Sequence, residues 1–159
     1  MRFHLRPVIF AFALILACTS SNLLAAGTSS QQSRRPSVDP EFKAGQKAVK
    51  ARDYDSALVH LSKALEKDPN SADTHNLLGY SYRKLGNTDK AFEHYRIALR
   101  INPKHRGANE YLGELYLETG QLAKAEERLA VLDEACPWGC EEYDDLKEAV
   151  DKYKAKNKQ

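Results

Sequence analysis

Cys136-Pro137-Trp138-Gly139-Cys140 is the stretch of this 159-residue chain whose side chains are best equipped for chemistry. It holds two of the three cysteines, with the only tryptophan between them. In an oxidising compartment, two cysteines this near each other are first a disulfide. Pro137 and Gly139 interrupt any helix between them and let the sulfurs approach, so the bond would pin a last helix to whatever precedes it. The loop it closes is very small, which puts its stabilising effect at the low end for disulfides. The sharper alternative is a thiol-exchange or metal-handling pair used in the assembly of another protein. Three residues separate the cysteines, not the two of thioredoxin-like motifs, and no histidine follows as a haem attachment needs.

The other candidates are weaker. His60 and His94 occupy one phase toward the outer side of their helices, while His75 and His105 lie apart from them. None has the one-turn spacing of a zinc-binding helix, so they read as surface or packing residues and no metal or cofactor is expected. Six acidic residues and no basic one fall between Asp133 and Asp145; Glu141 to Asp145 would favour the N-terminal end of a helix dipole. With no phosphate loop, nucleophile elbow or recognisable carboxylate pair, no catalytic residue is expected and the chain does not read as an enzyme.

The elements that would position these residues are helices. Alanine, leucine, lysine and glutamate dominate, and β-branched residues are few after position 40. The organising segment is Ala72–His105, with Leu78-Gly79, Tyr82, Gly86, Ala91, Tyr95, Ala98 and Pro103. A step of 34 residues either way takes Gly79 to Gly45 and Gly113, Ala91 to Ala57 and Ala125, and Pro103 to Pro69 and Pro137. Such self-similarity marks a repeat architecture. Within each window two apolar periodic stretches flank a turn, as in Leu77–Tyr82 and Ala91–Ala98 around Gly86-Asn87. Asp53 and Thr88 are the expected caps of the second helices. Gly79 is expected to let two helices approach closely, since a helix-interior glycine otherwise costs about 1 kcal/mol against alanine.

This spacing resembles the tetratricopeptide repeat, a helix–turn–helix unit. The resemblance implies an all-α fold, an α-solenoid of three repeats at about residues 38–71, 72–105 and 106–139, closed by a cap helix at 140–156. The folded domain would span 41–156 and contain seven helices. Leu132-Asp133 replaces the usual alanine-leucine pair, as if the sixth helix meets something other than another repeat. Arrays of this family bind extended peptides or partner helices in a concave groove lined by the first helix of each pair. Its groove phases fall on Phe42, Gln46 and Val49, then Asn76, Tyr80 and Arg83, then Glu110, Tyr111, Glu114 and Leu117. Tyr80 and Tyr111 could equally pack between repeats. One subfamily grips a peptide carboxylate; its phases here carry Phe42, Gln46, Leu77, Gly107 and Tyr111, and four of the five differ in kind, so that clamp is not expected.

The N-terminal stretch differs in kind. Arg2, His4 and Arg6 precede an apolar run from Val8 to Cys18, and Leu23-Leu24-Ala25-Ala26-Gly27 supplies small residues. Residues 1–27 read as an export signal, the run being short of the roughly 20 apolar residues that span a bilayer. The alternative is a lipoprotein signal, Ile15-Leu16-Ala17-Cys18, with Cys18 lipidated. Residues 28–40, rich in serine and glutamine, read as a flexible linker. Without Arg2 and Arg6 the chain has 22 basic residues against 22 acidic ones, which gives no electrostatic case for nucleic acid. The expectation is a non-catalytic scaffold or adaptor of the bacterial cell envelope, periplasmic or lipid-anchored, that binds a protein or peptide. Self-association through the repeat ends is a further expectation.

Overall fold

The computed structural model describes residues 39–157. The leader, Cys18 and nearly all of the linker lie outside the described residues. Within them the chain forms seven helices and no strand: α1 (Pro40–Lys50), α2 (Tyr54–Lys67), α3 (Ala72–Lys84), α4 (Thr88–Ile101), α5 (Arg106–Glu118), α6 (Leu122–Ala135) and α7 (Glu141–Lys156). Pro40, assigned from the sequence to the linker, opens α1; its fixed φ suits a first helical position and Asp39 caps it by accepting from the Glu41 and Phe42 N–H groups.

The turn inside each repeat is built the same way. After α1 the Arg52 N–H donates to the Val49 carbonyl and Asp53 N–H to that of Ala48; after α3, Gly86 and Asn87 donate to Arg83 and Tyr82; after α5, Gly120 and Gln121 donate to Leu117 and Tyr116. This six-to-one and five-to-two pattern requires a left-handed residue at the helix end. Gly86 and Gly120 supply it at φ 77° and 74°, but the first repeat uses Arg52 at φ 60°. Asp53 caps α2 as expected, whereas α4 is capped by Asn87 and not by Thr88: the Asn87 carboxamide accepts from the Lys90 N–H, and Thr88 is already the first helical residue.

Packing follows the repeat phases. Ala57, Ala91 and Ala125 are fully buried, as small residues must be where helices press together. A side chain added at Gly45 would lie 2.6 Å from Leu61, and one at Gly79 would lie 2.7 Å from the Tyr95 ring, both in the second helix of the same repeat. The third glycine breaks the rule. At Gly113 the close neighbour is Leu146 of α7, at 2.5 Å, and not a residue of α6. Two clusters form the core: Ala57, Leu61 and Leu78 toward the first repeat, and a larger one in which Tyr95, Leu115, Leu132, Leu146 and Val150 are buried. Leu132 is therefore matched to the cap helix, whose Leu146 and Val150 share its cluster.

Cys136 ends α6 and Cys140 begins α7, with their Cα atoms 5.7 Å apart and their sulfurs at disulfide distance. Cys140 makes no side-chain cap on α7, so the covalent clasp stands at a helix start that lacks one.

Candidate functional site

The first helix of each repeat carries the candidate groove residues, in unlike surroundings. In α1, Gln46 is exposed, while Phe42 and Val49 are half-buried and pack against the Leu61–Leu78 cluster. In α3, Asn76 is buried, and Tyr80 is half-buried between Tyr54, edge-on at 6.1 Å, and Tyr111 of α5 at 4.9 Å. These three rings run across neighbouring repeats, and Lys84 lies 5.0 Å above Tyr80. Tyr80 and Tyr111 thus pack between repeats while Tyr80 keeps part of its surface open.

Arg83 is the polar hinge of this face. Its guanidinium donates to Glu114 and, through Nε and Nη2, to Glu118, the latter at 2.6 Å. Its side chain is only 8 % exposed, and the two carboxylates outweigh burial to raise its pKa further. Both carboxylates belong to α5, so the arginine ties the second repeat to the third.

Arg83, Glu114 and Leu117 also line a cavity of about 360 Å³ with Glu118, and its other wall is α7. Ala149, Lys152, Tyr153 and Lys156 form that wall. The phases of the repeat carried no information about a helix outside the repeats, so these four were not among the expected site residues. Their only trace in the sequence is the apolar spacing of Ala149 and Tyr153 along α7. Volumes of this order suit one side chain or a small ligand.

Glu110 and Leu117 are buried under this packing. Burial is the main reason that the Glu110 carboxyl is pushed up to about 8, and Glu114, Asp145, Glu142 and Glu141 add to it. Three of those carboxylates belong to the opening of α7, so the acidic run is no mere solvated face: its charges reach the third repeat.

The histidines pair in a way the sequence did not disclose. His75 was expected to lie apart from His94, yet their Nδ1 atoms are 3.0 Å apart. The same two positions pair in every repeat, 19 residues apart: Glu41 with His60 at 2.7 Å, and Asn109 with Arg128 at 3.3 Å. The first and second helices of each repeat are joined by one polar couple of changing chemistry. A polar residue at the same phase of all three first helices was the available signal. His105 caps α5 through Nδ1, which accepts from Ala108, and directs Nε2 to Asp73 of α3 at 2.9 Å. No group of three or more metal-ligating side chains occurs among the described residues.

Three helix pairs with glycine-permitted contacts, Schellman-type turns and a 34-residue period define a helical-repeat solenoid, a class built to present an extended face. Two family models, both described as tetratricopeptide repeat, match residues 42–106 and 82–150, and the chain belongs to that family. None of the curated proteins matches it in sequence. Among solved structures it is similar to the Sgt2 TPR domain of Aspergillus fumigatus, with a TM-score of 0.67 and 22% identity over 78% of this chain and 81% of that one. It is also similar to the Yersinia enterocolitica type III secretion chaperone SycD in complex with a peptide of the translocator YopD (TM-score 0.63, 18% identity, 74% and 92% coverage). A third is the first TPR of Spaghetti (RPAP3) bound to the HSP90 peptide SRMEEVD (TM-score 0.62, 20% identity, 70% and 89% coverage). At these identities the likeness is one of fold.

Proposed function

We propose that this protein is a non-catalytic adaptor that holds an extended peptide or a partner helix along its first-helix face, with the cavity between α3, α5 and α7 receiving one side chain of that partner. The observation that carries the reading is the cavity itself. It joins an apolar floor of Leu117, Ala149 and Tyr153 to a rim of Arg83, Glu114, Lys152 and Lys156, on the face where Tyr80 is open. Apolar centres with charged rims are what polypeptide recognition uses. Two of the similar structures are described as peptide complexes, which supports the reading at the level of fold.

Export belongs to the same proposal, as does anchoring through Cys18 as its alternative form. Cys136 and Cys140 at disulfide distance support an oxidising compartment. Recovery of partners from a periplasmic extract tests both parts. Tyr80→Ala, Glu114→Ala and Lys152→Ala are expected to lose a partner that the unaltered protein retains; unchanged recovery with all three removes the groove from consideration. Mass spectrometry of the mature protein reads the processed N-terminus and any lipid.

A thiol-exchange role is the second reading, favoured by the position of Trp138, 96 % exposed, on the loop between the two cysteines. Under it, mild reductant frees both thiols of the folded protein at once and one of them is acidic. A structural clasp instead resists mild reductant, and a thiol titration at neutral pH separates the two.

A further inference from the structure

A second cavity, of about 380 Å³, opens between α4, α5 and α6. Leu99, Leu112 and Tyr116 give it an apolar lining, and three arginines, Arg96, Arg100 and Arg128, stand around it. We infer that this cavity is a binding site for a small ligand that joins an oxyanion, a carboxylate or a phosphate, to an apolar body.

Two of the three arginines, Arg96 and Arg100, carry charge that no carboxylate among the described residues matches. Arg96 and Arg100 stand one turn apart on α4, a placement of like charges that disfavours the helix. The arginine ion pairs among the described residues are made by Arg83, Arg106 and Arg128, so neither Arg96 nor Arg100 is neutralised there. Arg96 lies over the Phe92 ring at 5.3 Å, which fixes its guanidinium beside the opening. Arg128 reaches Asn109 through Nη1 at 3.3 Å and Glu127 through Nη2 at 3.8 Å. Its Nε is buried with no hydrogen-bond partner in the protein. A buried N–H without an acceptor is costly, and the fold leaves this donor unmet. Guanidinium groups suit planar or tetrahedral oxyanions better than any other side chain. Leu112 and Tyr116, themselves 3 % and 9 % exposed, offer the apolar body a surface continuous with the core. The volume falls in the range of small-ligand sites.

The test is a titration of the isotope-labelled protein, read by amide shifts, with n-hexyl phosphate, n-hexanoate, inorganic phosphate and n-hexylamine. Saturable shifts at Leu99, Leu112 and Tyr116 are expected with hexyl phosphate or hexanoate, and the stronger of the two identifies the headgroup. Inorganic phosphate should bind at least tenfold more weakly, hexylamine should leave these amides unmoved, and added sodium chloride should weaken binding. The Arg96→Gln/Arg100→Gln pair alters only exposed side chains, so its melting temperature should hold while affinity falls at least tenfold. Equal affinity for hexylamine, equal affinity for inorganic phosphate, or unchanged binding by the double variant would each overturn the inference.

Discussion

His75 and His94 face each other across the second repeat with their Nδ1 atoms 3.0 Å apart, and the bonds around them fix which one donates. His75 Nε2 meets the Pro69 carbonyl at 3.2 Å and must carry a hydrogen there, so the neutral His75 Nδ1 is an acceptor and His94 Nδ1–H donates to it. His94 also stacks on Tyr82, its ring 5.4 Å away and nearly parallel.

A pH dependence follows from this couple. Burial, and His75 beside it, hold the His94 imidazole below its ordinary value of 6.5. The unfolded chain therefore binds that proton more readily than the folded one. The contribution to stability is present above about pH 6.5 and is lost as the pH falls further. His94→Gln keeps a donor for His75 and should flatten this acid slope in denaturant titrations between pH 7 and pH 5. An undiminished slope in the variant would place the effect elsewhere.

Glu110 works in the opposite direction. Its carboxyl, raised to about 8, is neutral in the folded protein over a range where the unfolded carboxyl is ionised. Stability from this group is complete below about pH 4.5 and falls as the pH rises through 8. Glu110→Gln should leave stability at pH 5 nearly unchanged and raise it by roughly 2 kcal/mol at pH 9, as measured by urea unfolding. Protection of α7 amides should rise with it at pH 9, because Glu141, Glu142 and Asp145 are among the charges that oppose ionisation.

Two glycine substitutions should loosen different parts of the molecule. Alanine is the better helix former by about 1 kcal/mol, but at Gly79 it meets a fully buried Tyr95 ring and at Gly113 a fully buried Leu146. Overpacking of such sites typically costs about 1–3 kcal/mol, so the steric effect wins. Gly79→Ala should raise hydrogen exchange in α3 and α4, and Gly113→Ala in α7. Exchange rising in α6 in place of α7 for the second variant would contradict the packing described.

Arg52 should be improvable. It holds a left-handed backbone at φ 60° where the corresponding turns use Gly86 and Gly120. A residue with a Cβ is strained there by about 1–2 kcal/mol, partly returned by its smaller loss of chain entropy. Arg52→Gly is expected to stabilise by about 1 kcal/mol or slightly less, seen as a rise in Tm.

Much of this architecture was legible in the residues. Helix pairs, turns and buried alanines follow from local chemistry that repeats every 34 residues, and the described residues form the seven helices expected. What escaped depended on partners distant in the chain. Gly113 looks like Gly45 and Gly79, yet it meets α7, because a leucine at 132 and not an alanine prepares α6 for a different neighbour. The His75–His94 couple escapes a reading that takes each histidine singly as a surface or packing residue. Read as a 19-residue spacing that recurs as Glu41–His60 and Asn109–Arg128, it would have been visible. The cavity wall formed by α7 lay beyond what the repeat phases could report.

The contact between Gly113 and Leu146 gives the array a polarity of growth. Duplicating a whole unit at the junction of Ser71 and Ala72 would set like surfaces against like, and the product should fold as a longer rod. The same duplication between Gly139 and Cys140 would strand Leu132 and Leu146 without their counterparts and invite clumping. Such a chain can lengthen upstream, but its downstream end is sealed.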